Sequence, residues 1–181
     1  MPNLGLYLGS FQPFHNDHLK HLKFILTQND RCLIIIVRQE DKTNLRNKPF
    51  DDNLTYNMIK ASLKEEGILD KVFITFINNP DNFKELSCIL NSYSIRYNIT
   101  YFTGKNNIYY QTNKEIIQKK YSVYIFDNFT ITGKKIRDSL FYNKQFPNTL
   151  PIPKGTLQYL NKISIASYHE SIDSETNFKN L

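Results

Sequence analysis

Leu4-Gly5-Leu6-Tyr7-Leu8-Gly9-Ser10-Phe11-Gln12-Pro13-Phe14-His15-Asn16-Asp17-His18 stands at the head of this 181-residue chain. The apolar run 4–8 reads as a buried strand, and Gly9 and Pro13 punctuate the turn that follows. Two histidines, three residues apart, then sit at the mouth of the next helix. A glycine-bearing turn lets backbone N–H groups approach an anion closely, and a helix N-terminus adds partial positive charge. Residues i and i+3 share a helix face, so His15 and His18 can point at the same ligand. A triphosphate suits such a place. The plainer reading of the string is a capped helix start with a satisfied histidine pair.

Further apolar runs rich in β-branched and aromatic residues recur at 32–37, 72–77, 99–102 and 123–126. Helical patterns fill the spaces between them, over 18–26, 52–63, 83–90 and 108–117, and a last amphipathic helix is expected near 154–163. Strands alternating with helices predict an α/β fold, a doubly wound parallel five-stranded sheet with helices on both faces. In such a sheet ligands bind outside the carboxyl ends of the strands, where the strand order reverses. The Gly9 turn falls at such an end. Gly9 has no G-x-G-x-x-G continuation, and the chain contains no G-x-x-x-x-G-K-[ST] loop, which argues against dinucleotide-fingerprint and P-loop folds.

The length fits one domain, expected over 1–164, with a polar and acidic tail over 165–181 that has too little apolar content to pack. Hydrophobic residues make up 40%, and no apolar run approaches the roughly 18 residues of a membrane span. A basic segment followed by an apolar stretch is missing at the N-terminus, so a cytoplasmic setting is expected. Cys32 and Cys88 each lie in apolar surroundings, outside any metal-like cluster. The formal charge of +6 comes from scattered lysines with no nucleic-acid-binding signature beside them. It reads as solvated surface plus a local site for small anions. No nucleic-acid or membrane partner is expected, and a homo-oligomer stays open.

Thr130-Ile131-Thr132-Gly133-Lys134-Lys135-Ile136-Arg137 is the second informative stretch. Thr132 is a good N-cap, Ile136 can anchor the helix inward, and Arg137 follows on the first turns. A helix start with two lysines and an arginine suits β- and γ-phosphates, or, read plainly, is a basic helix start facing solvent.

The first stretch resembles the G-x-F-x-P-x-H-x-x-H signature of the nucleotidylyltransferase superfamily. Its wording is most similar to the archaeal-type nicotinamide mononucleotide adenylyltransferases. The second resembles the superfamily's Ser-Gly-Thr-x-Ile-Arg signature, with Thr132 in place of the serine and Lys134 in place of the threonine. Asn47-Lys48-Pro49-Phe50, Pro80-Asp81 and Thr103-Gly104-Lys105-Asn106 also resemble family segments, so the likeness spans about residues 4–163. In the family pattern an arginine stands at Ser10, a glycine at Asp17 and a Glu-Arg pair at Leu54-Thr55, and a tryptophan follows Asp81; this chain has no tryptophan. The departure at Asp17 puts an acid among groups expected to bind phosphate.

The resemblance implies a Rossmann-like fold and adenylyl transfer from ATP to nicotinamide mononucleotide, giving NAD and pyrophosphate. It implies catalytic roles for His15, His18 and Arg137, and contacts to ATP from Gly9, Ser10, Phe11, Gln12, Thr132, Gly133 and Lys134. For the acceptor it implies Asp81, Thr103 and Gly104, to which Arg38 and Arg46 add candidate partners for the phosphate. Asp81 reads equally as the cap of the following helix, and the two arginines equally as solvated groups. His21 reads as a surface or helix-packing group. Mg²⁺ is expected to arrive with ATP, with no protein metal site. Pantetheine-phosphate adenylyltransferase, a cytidylyltransferase, and a nucleotide-binding protein without catalysis remain the alternatives.

Overall fold

Five strands form one parallel sheet: β1 (Asn3–Gly9), β2 (Arg31–Val37), β3 (Val72–Ile77), β4 (Asn98–Gly104) and β5 (Ser122–Phe126). The computed structural model describes residues 1–38, 49–78, 83–127, 130–141 and 147–162. The strand order is β3-β2-β1-β4-β5, so the order reverses between β1 and β4. Between and after the strands run α1 (Asn16–Gln28), α2 (Asp52–Glu65), α3 (Phe83–Ser94), α4 (Ile108–Lys120), α5 (Gly133–Phe141) and α6 (Lys154–Leu160). The chain divides into two compact units that interleave along the sequence. The first comprises Met1–Ser10, Asp17–Arg38 and Ile68–Thr130, and the second Phe11–Asn16, Gln39–Gly67 and Ile131–Leu181.

The whole sheet lies in the first unit. Every side chain of Cys32–Val37 is buried, as a strand covered on both faces requires. The edge strands β3 and β5 are only partly covered, matching their single paired side. Leu4, Leu6, Leu8, Leu33, Ile35 and Tyr101 pack with Leu86 and Leu90 of α3 and Tyr110 and Ile117 of α4. Gly5 and Tyr7 point to the opposite face. There a Cβ on Gly5 would fall 2.2 Å from Cγ2 of Ile25, so α1 sits directly on the central strand. Helices therefore cover both faces, as the alternation in the sequence implies.

Two expectations need correction. Cys88 is exposed rather than set among apolar groups. Leu86 and Leu90, four residues apart, take the inward stripe of α3, and Cys88 midway between them faces outward. The last helix ends at Leu160 rather than near 163, with the Asn161 N–H bonded to the Leu157 carbonyl. The expected domain boundary at 164 and the polar tail lie outside the described residues.

The second unit has its own core of Phe50, Met58, Ile136, Leu140, Phe141, Ile152 and Leu160. Asp51 caps α2 by accepting from the Leu54 N–H at 2.7 Å. At the other end Gly67 adopts a left-handed φ of 67° and donates to the Lys64 carbonyl, which stops the helix. Helices α2 and α6 touch backbone to backbone: a Cβ on Gly155 would lie 2.2 Å from the Ser62 nitrogen. Beside this contact Ser62 Oγ and Thr156 Oγ1 are 3.1 Å apart, and the Gly155 N–H donates to Glu65 at 2.9 Å.

That approach leaves no room for a methyl group. Gly155→Ala should cost about 1–3 kcal/mol, the usual range for overpacking, read as a lower midpoint in urea. Tyr101→Phe is the contrast, because the buried Tyr101 hydroxyl has no hydrogen-bond partner among the described residues. Removing it should leave stability unchanged or raise it slightly. Equal losses in the two variants would contradict this packing.

Candidate active site

Parallel pairing brings the carboxyl ends of the strands to one edge of the sheet. Gly9 ends β1 opposite Ile36, and Gly104 ends β4 opposite Phe126. Ser10, partly buried, follows β1 at the place where the strand order reverses. Thr103 and Gly104 are buried at the end of β4, and Thr103 Oγ1 donates to the Gly104 carbonyl. Asn107 closes this corner: its Nδ2 donates to the Leu8 carbonyl at 3.2 Å, while its Oδ1 caps α4 at the Tyr110 N–H. Arg38 follows β2, with its guanidinium 5.0 Å from the Phe76 ring centroid and Nη1 donating to Asn78 Oδ1 at 3.3 Å. Arg46 and Asp81 lie outside the described residues.

His18 is half-buried on α1, edge-on to the Tyr7 ring with centroids 6.2 Å apart. One turn further, His21 stacks flat on Phe126 at 3.8 Å and 4°, and its Nδ1 pairs with the Tyr7 hydroxyl at 3.3 Å. It is a packing group, as its place on the helix suggested. Burial pulls its pKa down to about 4, with Asp17 opposing and Lys20 adding to the fall, so the ring is neutral at pH 7. Burial pushes the Tyr7 hydroxyl well above its ordinary value, with Cys32 and Asp17 adding to the rise.

Asp17, the acid expected from sequence to lie among phosphate-binding groups, is held by a hydroxyl from far along the chain. Its carboxylate is 8% exposed and accepts from Thr130 Oγ1, at 3.0 Å to Oδ2 and 3.2 Å to Oδ1. Nothing in the local sequence signals this pair, because 113 positions separate its members.

In the second unit the two motifs meet. Arg137 Nη1 donates to the main-chain carbonyl of Gln12 at 2.5 Å. A Cβ on Gly133 would lie 2.6 Å from that carbonyl oxygen and 3.1 Å from Arg137 Nη1. Only glycine fits there, which gives the position a physical reason the motif alone did not supply. Thr132 accepts from the Lys135 N–H at 3.3 Å and so caps α5, while Ile136 is buried beneath it. Lys134 and Thr132 are exposed. Burial lowers the Arg137 pKa, with Asp138 opposing; a guanidinium remains charged at neutral pH all the same.

Side chains of the first motif in this unit turn inward. Phe11, at φ 50°, and Phe14 are buried and in ring contact at 6.0 Å. Gln12 spends its amide on the start of α2: Nε2 donates to the Phe50 carbonyl at 2.7 Å and to Thr55 Oγ1 at 3.1 Å, and Oε1 accepts from the Phe50 N–H at 3.0 Å. Thr55, one of the family departures, is thus the partner of a motif residue. His15 is 1% exposed, so of the two histidines His18 presents the more surface.

The His21 environment fixes a pH dependence. An unfolded histidine takes up a proton near pH 6.5 and the folded one only near 4, so the unfolded chain binds more protons between those values. Stability should therefore fall as pH drops from about 6.5 to about 4. His21→Gln, neutral throughout, should flatten that part of the curve in urea titrations taken across the range. An unchanged slope would contradict the assignment.

A family model described as cytidylyltransferase-like matches residues 6–150. The nicotinamide-nucleotide adenylyltransferase of Saccharolobus solfataricus is 30% identical over 157 residues, 82% of this chain and 86% of its own length. That of Thermococcus onnurineus is 29% identical over 168 residues, 90% of this chain and 84% of its own. Among solved structures, a bifunctional NMN adenylyltransferase/ADP ribose pyrophosphatase from Francisella tularensis, complexed with AMP and a manganese ion, matches with a TM-score of 0.72 at 20% identity. The match covers 98% of this chain and 54% of that one, so the chain spans about half the length of that structure. The Plasmodium falciparum nicotinic acid mononucleotide adenylyltransferase gives a TM-score of 0.64 at 16% identity, over 90% and 96% of the two chains. At such identities the structural likeness bears on the fold alone. With the family model covering most of its length, and both signature stretches placed as described, this chain belongs to the cytidylyltransferase-like family.

Proposed function

We propose that the protein transfers an adenylyl group from ATP to nicotinamide mononucleotide, releasing pyrophosphate and forming NAD. The observation that carries this reading is the contact of Arg137 and Gly133 with the Gln12 carbonyl, which joins two sequence motifs suited to phosphate. Curated relatives aligned over most of the chain carry the name of that activity.

In this reaction a phosphate oxygen of the acceptor attacks the α-phosphorus of ATP. The bond from that phosphorus to the oxygen bridging to the β-phosphate breaks, and its electron pair leaves with pyrophosphate. No protein nucleophile is needed. The protein must hold two polyanions in line and stabilise the charge that gathers on their oxygens. His18 serves the α-phosphate, with His15 nearer the β- and γ-phosphates. Arg137 and Lys134 hold the leaving pyrophosphate, one as a planar fork and the other as a point charge. Gly9, Ser10, Phe11 and Gln12 contribute through main-chain groups, since the Phe11 and Gln12 side chains are committed elsewhere.

The acceptor's phosphate falls to Arg38 and Arg46, and its nicotinamide riboside to Asp81, Thr103 and Gly104. Among the described residues no three His, Cys, Asp or Glu side chains converge into a metal cage. Mg²⁺ would come in with ATP, held mostly by phosphate and water, and would supply neutralisation of phosphate charge.

His18→Ala should lower turnover roughly 100-fold, the loss of about 3 kcal/mol from one transition-state donor, with a much smaller effect on ATP binding. Arg137→Ala should weaken ATP or pyrophosphate handling by about one to two powers of ten, and Arg137→Lys should recover part of it. The test is pyrophosphate release with MgATP across nicotinamide mononucleotide, phosphopantetheine and glycerol phosphate. Product with nicotinamide mononucleotide is expected. Product with phosphopantetheine alone would move the function to another acceptor, and no product with any acceptor would leave a nucleotide-binding protein.

A further inference from the structure

We propose that Asp17 and Thr130 are positioning residues whose hydrogen bond fixes where the chain leaves the sheet on its way into Thr132–Arg137. The inference deepens the adenylyl-transfer reading and rests on it for its functional consequence. Thr130 stands between Phe126, the last residue of β5, and Thr132, the cap of α5. Its hydroxyl is held by a carboxylate that is almost wholly buried, at 3.0 and 3.2 Å from the two oxygens. Hydrogen bonds to a charged acceptor are the stronger class, and a partly desolvated setting strengthens them further.

Asp17 is well placed to be such an acceptor. It lies in the first turn of α1, where free N–H groups and the helix dipole favour negative charge. The residue before it, Asn16, donates its N–H to the Pro151 carbonyl at 3.1 Å within the second unit. Asp17 belongs to the first motif, and what it grips is the approach to the second. The resembled pattern carries glycine at this position, which cannot make the bond. The clasp is therefore a feature of this chain's own residues. If Thr130 is released, the single residue between it and the α5 cap, Ile131, gains freedom, and the cost falls on triphosphate binding rather than on the acceptor.

Four variants test the pair: Thr130→Val removes the hydroxyl at nearly constant shape, Thr130→Ser restores it, Asp17→Gly removes the acceptor, and the double variant combines both losses. Amide hydrogen exchange over 130–137 and calorimetric dissociation constants for MgATP and for nicotinamide mononucleotide are the readouts. Thr130→Val and Asp17→Gly should each speed exchange in that segment and weaken MgATP binding about tenfold, with the acceptor constant within about twofold. Thr130→Ser should match the parent, and the double variant should be no worse than either single one. Parent-like exchange in Thr130→Val, additive losses in the double variant, or faster exchange with unchanged MgATP binding would each overturn the proposal. A parent protein that binds MgATP but forms no NAD, with the variant pattern intact, would remove the adenylyl-transfer reading and leave the clasp standing.

Discussion

A guanidinium bonded to a main-chain carbonyl is the contact that joins the two sequence motifs in the second unit. Arg137 reaches the Gln12 oxygen because Gly133, at the start of the same helix, has no side chain to block the approach. The carbonyl stays in place because the Gln12 amide is tied on both sides to Phe50 and Thr55. A main-chain oxygen is a fixed partner, unlike a flexible carboxylate, and it leaves the guanidinium its full positive charge. Arg137 is thus held at Nη1 by a partner that cannot swing away.

The sheet orders the first unit by geometry. In a parallel sheet every strand delivers its next residue to the same edge, and here that edge carries Ser10, Arg38, Thr103 and Gly104. Asn107 braces the edge by bonding the Leu8 carbonyl while starting α4. Behind His18 the ring cluster of Tyr7, His21 and Phe126 is neutral and apolar. The two motifs touch twice, through Arg137 on Gln12 in one unit and Thr130 on Asp17 in the other.

The strands were legible because continuous apolar runs are what buried parallel strands require, and 72–77 falls on β3 residue for residue. Helix starts were legible where a cap marks them, as at Thr132. The pairings were not. Gln12 with Phe50, Asp17 with Thr130, and His21 with Phe126 join residues whose proximity depends on strand order, and no local pattern encodes strand order. Gly133 is the instructive case: the motif named the residue, yet its reason, an oxygen 2.6 Å from where a Cβ would stand, belongs to the fold. Gln12 is the converse, since it was read as a ligand contact and its side chain proves to brace α2. The exposure of Cys88 shows that apolar neighbours in sequence do not set which way a helical residue faces.

The most direct measurement is a crystal structure of the protein with Mg²⁺, a non-hydrolysable ATP analogue and nicotinamide mononucleotide. The account predicts the α-phosphate beside His18, the β- and γ-phosphates between Arg137 and Lys134, and the acceptor's phosphate oxygen in line with the α-phosphorus. A triphosphate bound away from Arg137, with the Gln12 carbonyl contact undisturbed, would contradict it.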